Sequence, residues 1–137
     1  MSTKLDYQIV IDSVLAEISD KAEFIYLMGS FGTDRFNDQS DLDFAVFWKN
    51  IPEFNELIKL KSKFEDQFQR DAELVSLNKI DIIFAAQVLE TGRLVFLNKS
   101  NRGEHLNWRA QKMSEYPDFK FSRKIIEENI LVRKKYV

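Results

Sequence analysis

The chain has 137 residues, 45% of them apolar and 12 of them phenylalanine, which is the size and composition of one domain around one core. It has no cysteine, so a disulfide framework and a thiolate zinc site are both excluded. The net charge of −2 hides an asymmetry: from Arg102 onward nine Lys/Arg stand against five Asp/Glu, a net +4, leaving residues 1–101 at −6, the wrong sign for a general nucleic-acid binder.

No basic segment leads into an apolar one at the start, and no run of about 18 uncharged apolar residues occurs anywhere. A cytoplasmic protein that spans no membrane is therefore expected. In chain order, Asp6 is placed to cap a helix over Tyr7 to Ile18, where Ile11, Val14, Leu15 and Ile18 recur at helical intervals. Phe24 to Met28 reads as a buried strand, Gly32 to Gln39 as a short helix and loop, and Leu42 to Trp48 as a second strand. Pro52 opens a long helix whose Phe54, Leu57, Ile58, Phe64 and Phe68 form an apolar stripe read as core. Glu73 to Leu77 is a brief extended segment, and Lys79 to Phe84, apolar except for Asp81, is expected as the third main strand. A short helix from Ala85 to Glu90, a last strand from Leu94 to Leu97 and a turn-rich connector from Asn98 to Gly103 follow. Two C-terminal helices, Glu104 to Glu115 and Phe119 to Lys135, are separated by Tyr116-Pro117-Asp118. Residues 1–100 thus form the core and 101–137 a helical extension of the same domain.

The chemistry is concentrated between the first two strands. On a strand, Asp41 and Asp43 point to one face while Leu42 and Phe44 go to the other. At a few ångströms and an effective dielectric near 20, two such charges repel by about 4 kcal/mol, which a divalent cation would reverse. Oxygen-only ligands suit a hard ion such as magnesium. Just upstream, Gly29 permits a sharp turn and close approach, and Ser30 offers a hydroxyl and an amide to anionic oxygens.

The resulting pattern, Gly-Ser-x10-Asp-x-Asp between a strand, a glycine turn and a strand, resembles the signature of the polymerase beta-type nucleotidyltransferases. It is most similar to the minimal nucleotidyltransferases, the MNT antitoxins that pair with HEPN ribonuclease toxins. The resemblance spans the first helix to Tyr116-Pro117-Asp118-Phe119. It implies an α/β fold with a small mixed sheet, flanking helices and C-terminal helices. It also implies that Gly29 and Ser30 hold the phosphates of ATP, that Asp41 and Asp43 hold Mg2+, and that a third carboxylate, matched here by Asp81, completes the catalytic set. The implied activity is transfer of AMP to a tyrosine of a HEPN toxin, which silences it, with a hetero-oligomer as the assembly and no direct contact with nucleic acid. Many members read Gly-Ser-x-Ala-Arg-Gly, whereas this chain has Gly32, Thr33 and Asp34 there, so that arginine is missing.

Other polar and aromatic residues carry blander readings. His105 is expected to be structural, and Trp48 and Trp108 to be packing. Arg35, Lys49, Lys99 and Arg102 are candidate phosphate contacts that no spacing rule separates. Two rival functions stay open: neutralisation of a toxin by binding alone, and nucleotidyl transfer to a small molecule of the aminoglycoside type.

Overall fold

The computed structural model describes residues 5–115. Its elements run α1 (Tyr7–Ile18), β1 (Ala22–Met28), β2 (Leu42–Trp48), α2 (Phe54–Phe68), β3 (Ala72–Ser76), α3 (Ile82–Thr91), β4 (Arg93–Leu97) and α4 (Arg102–Ser114). The four strands form one mixed sheet in the order β3-β2-β1-β4. β1 is antiparallel to both β2 and β4, whereas β2 and β3 are parallel and joined by the crossover helix α2. The fold class is therefore as expected, a small mixed α/β sheet with flanking helices.

Every residue of β1 is buried, because helices cover both faces of the sheet. Ile25, Leu27, Leu42, Phe44 and Val46 pack with α1 and α2 on one face. Phe24, Tyr26, Met28 and Ala45 pack with α3 and α4 on the other. Asp6 caps α1 by accepting from the Ile9 amide at 3.1 Å. On α2, Leu60, Phe64 and Phe68 are buried, but Phe54 is 76% exposed and Ile58 45%, so the expected stripe reaches the core only in its later turns.

Two expectations about the middle of the chain are corrected. Lys79 to Phe84 is not a strand: Asp81 is the N-cap of α3, accepting from the Phe84 amide at 2.8 Å. Extension ends earlier because Asn78 turns back on β2, accepting from the Trp48 amide at 2.8 Å and donating to the Trp48 carbonyl at 2.9 Å. From Ile82 the apolar residues then follow helical spacing, with Ala85, Ala86, Val88 and Leu89 buried. The third strand of the sheet is instead the segment beginning at Ala72, and its Ala72, Glu73, Leu74, Val75 and Ser76 pair in register with residues 42–46.

Gly32 to Gln39 contains no helix. Successive turns carry it, with the Thr33 amide bonded to the Ser30 carbonyl at 2.9 Å and the Phe36 amide to the Thr33 carbonyl at 3.2 Å. Ser30 thus sits in a loop and not at a helix start. The helix expected from Phe119 to Lys135 lies outside the described residues.

Candidate active site

Sheet register builds the site. Met28 on β1 pairs with Asp43 on β2, and Asp43 pairs with Glu73 on β3, so the three form one row across the sheet and face the same side. That is the side covered by α3, since Met28 packs in the same cluster as Ala85, Val88 and Leu89. Above this row lies a cavity of about 510 Å³ lined by Met28, Gly29, Asp43 and Glu73, with Phe84, Gln87 and Thr91 of α3 forming another wall.

Asp43 is the electrostatic centre. Burial pushes its carboxyl above the ordinary carboxylate range, and the charges of Asp41 and then Glu73 push it further the same way. Gly29 lies directly against it: a Cβ there would fall 2.7 Å from the Asp43 Oδ2. Gly29 also has φ +72, a left-handed conformation that side chains resist. The turn and the close approach expected of Gly29 thus coincide at one residue.

Asp41 lies exposed just before β2, and its charge acts on Asp43. Asp81 is not in the row across the sheet: it is exposed at the N-cap of α3 and lines a neighbouring cavity with Ile82, Ile83, Phe84 and Gln87, the last two shared with the first cavity. The carboxylate that shares the row with Asp43 is Glu73, in the segment expected only as a brief extension. A signal was present, because Ala72-Glu73-Leu74-Val75 sets one carboxylate into an otherwise apolar β segment.

Asp41, Asp43 and Glu73 offer oxygen-only donors of the kind a hard divalent cation takes, and Glu73 also pairs with the Lys61 ammonium at 3.3 Å. Among the described residues no three such side chains close into a ligand cage.

A second basin, of about 460 Å³, lies next to the first and is lined by Gly29, Ser30, Thr33, Asp34, Arg35 and Arg93. Arg35, one of the candidate phosphate contacts, is therefore beside Ser30. Lys49 lines a different depression, with Asp20, Lys21 and Glu56. Arg93 was not anticipated from the sequence.

His105 is 9% exposed, and Tyr26 Oη is 2.7 Å from its Nε2, while Arg109 donates to the same Tyr26 oxygen at 3.1 Å. Burial, aided by the Arg109 charge, lowers the imidazole to about 4, so it is neutral near pH 7. This cluster ties α4 to β1 and gives His105 the structural role expected. Trp48 and Trp108 are 1% and 4% exposed, as packing residues should be.

Residues 11–101 match the family model described as polymerase beta, nucleotidyltransferase. No curated protein matches the sequence significantly. Among solved structures, the chain is similar to one in a toxin-antitoxin complex with AMP-PNP, at 21% identity and a TM-score of 0.68, covering 93% of this chain and 99% of that one. It is likewise similar to a chain of the MntA-HepT toxin-antitoxin, at 20% identity and a TM-score of 0.64, covering 90% and 98%. A third similar chain comes from tri-AMPylated Shewanella oneidensis HEPN toxin in complex with MNT antitoxin, at 20% identity and a TM-score of 0.67, covering 92% and 99%. With a glycine corner set against paired aspartates on this sheet, and with the family model spanning most of its length, the chain belongs to the polymerase beta nucleotidyltransferase family.

Proposed function

We propose that this protein is an antitoxin that transfers AMP from ATP to a tyrosine of a cognate HEPN ribonuclease toxin and thereby silences it. The observation that carries the reading is the row of Asp43 and Glu73 beside the Gly29 corner, with Asp41 pressing on the same carboxyl. The toxin-antitoxin complexes among the similar structures, one with AMP-PNP and one with an AMPylated HEPN toxin, support the choice of nucleotide and acceptor.

Asp41, Asp43 and Glu73 would hold Mg2+. A divalent ion held there would supply neutralisation of phosphate charge and polarisation of the α-phosphorus. Gly29 leaves room for the phosphates to come against Asp43, since any side chain there would occupy that space. Phe84, Gln87 and Thr91 offer the nucleoside a wall opposite the carboxylates. The acceptor oxygen forms its bond to the α-phosphorus as the bond to the bridging oxygen of pyrophosphate breaks, and Glu73 would take the hydroxyl proton. Most of the rate would come from orientation and charge stabilisation, which ask little covalent chemistry of the protein.

The test uses purified protein, magnesium, α-labelled ATP and the HEPN-type product of the neighbouring gene. Label on the partner that vanishes with Asp43→Ala is expected. Inhibition of the partner that survives this substitution, without label, would point to binding alone. Label on aminoglycoside amines but not on protein would point to small-molecule transfer.

A further inference from the structure

Between Gly29 and Ser40 the loop carries one cation, Arg35, against Asp34 and Asp38. A segment of that net charge gains affinity for a polyphosphate from cations brought in from elsewhere. Arg70 reaches its far end, donating to the Asn37 and Ser40 carbonyls at 3.1 Å, and Arg93 reaches the glycine corner from β4. Arg93 pairs in register with Leu27, two residues before the glycine corner. Its Nη2 donates to the carbonyls of Gly29 and Phe31, both at 2.9 Å, and to that of Met28 at 3.4 Å. Two hydrogens serve three acceptors here, so the two short bonds dominate. A trans peptide sets each carbonyl opposite the following N–H. Drawing the Gly29 and Phe31 carbonyls to Arg93 therefore turns the Ser30 and Gly32 amides away from the guanidinium, fixing the direction in which the loop presents its donors.

Arg93 also lines the basin beside Ser30, Thr33 and Arg35, and Gly29 is common to that basin and to the cavity over Asp43 and Glu73. A nucleotide whose α-phosphate lies over Asp43 and whose chain crosses Gly29 places its terminal phosphates in this basin. Accepting the nucleotide-transfer reading, on which this rests, we infer that Arg93 is the positioning residue for the terminal phosphates: it sets the loop by its carbonyls and supplies the charge the loop lacks.

Calorimetric titration of the full chain with ATP and with AMP, in magnesium, separates this role from simple scaffolding. Wild type is expected to prefer ATP. Arg93→Ala should weaken ATP by about tenfold or more and leave AMP within about twofold, because AMP has no terminal phosphates to lose. Arg93→Lys keeps a charge without the planar fork and should fall between the two. Equal weakening of both nucleotides, or of neither, overturns the inference and leaves Arg93 a strut for the loop. Where circular dichroism shows Arg93→Ala unfolded, the same comparison is made with Arg93→Lys, and an unchanged ATP-over-AMP ratio overturns the inference. A wild-type protein that binds neither nucleotide sinks the transfer reading itself, a result distinct from either of these.

Discussion

At the scale of single residues, Asp43 is held where its charge is costly. Its carboxyl is raised by burial and by Asp41 and Glu73, so the folded state binds a proton more tightly than the unfolded chain. The associated stability is present below the ordinary carboxylate range and lost as pH rises through the raised value, so at neutral pH the ionised group works against folding. Asp43→Asn should therefore raise the metal-free melting temperature at pH 7 by a few degrees while removing AMP transfer. Added magnesium should raise the melting temperature of the wild type and leave that of Asp43→Asn nearly unchanged. Gly29→Ala should act in the opposite sense, costing about 1 kcal/mol or more in denaturant unfolding through its φ alone, and abolishing nucleotide binding through the contact with Asp43. Both residues were legible in the sequence because their meaning is local: Asp-x-Asp needs only strand alternation, and Gly-Ser only a break between two apolar runs. Arg93 was not, because its closest partners are backbone carbonyls in the loop that follows β1, and no side-chain pattern records them.

At the scale of elements, the instructive contrast is Asp81 against Glu73. Lys79-Ile80-Asp81-Ile82-Ile83 has the composition of a strand, yet Asp81 caps a helix, and capping by a single oxygen decided the outcome over β-propensity. Glu73 acquires its place only from the parallel register of β2 and β3, a pairing across the crossover helix that local periodicity does not contain. Asp81→Ala should cost about 1 kcal/mol of stability, as loss of a helix cap does, and leave AMP transfer by the folded protein intact. Glu73→Gln should barely change stability and should cut transfer by about a hundredfold or more, as loss of a metal ligand or general base does. A second element-level device is the anchoring of α4 on β1 through Tyr26, His105 and Arg109. The imidazole is lowered to about 4, so its contribution is complete above the ordinary imidazole range and is lost as pH falls toward that value. Urea unfolding near neutral pH and at about pH 4.5 should show a smaller acid loss in His105→Gln than in the wild type.

At the scale of the whole molecule, the chemistry gathers at the end of the sheet where β1 ends and β2 begins. The Gly29 corner joins two cavities of different character, one with carboxylates and an apolar wall, the other with two hydroxyls, two arginines and one aspartate. That arrangement suits a ligand that is apolar at one end and strongly anionic at the other, as ATP is. The overall architecture was legible because strand and helix periodicities agree over most of the chain, and the third strand was misplaced where two short apolar segments competed for it. The most direct test is the intact mass of the cognate HEPN protein after incubation with ATP, magnesium and either wild type or Glu73→Gln. A gain of one or more AMP units with wild type, absent with Glu73→Gln and retained with Asp81→Ala, is predicted. AMP transfer that survives Glu73→Gln and fails with Asp81→Ala would contradict the account.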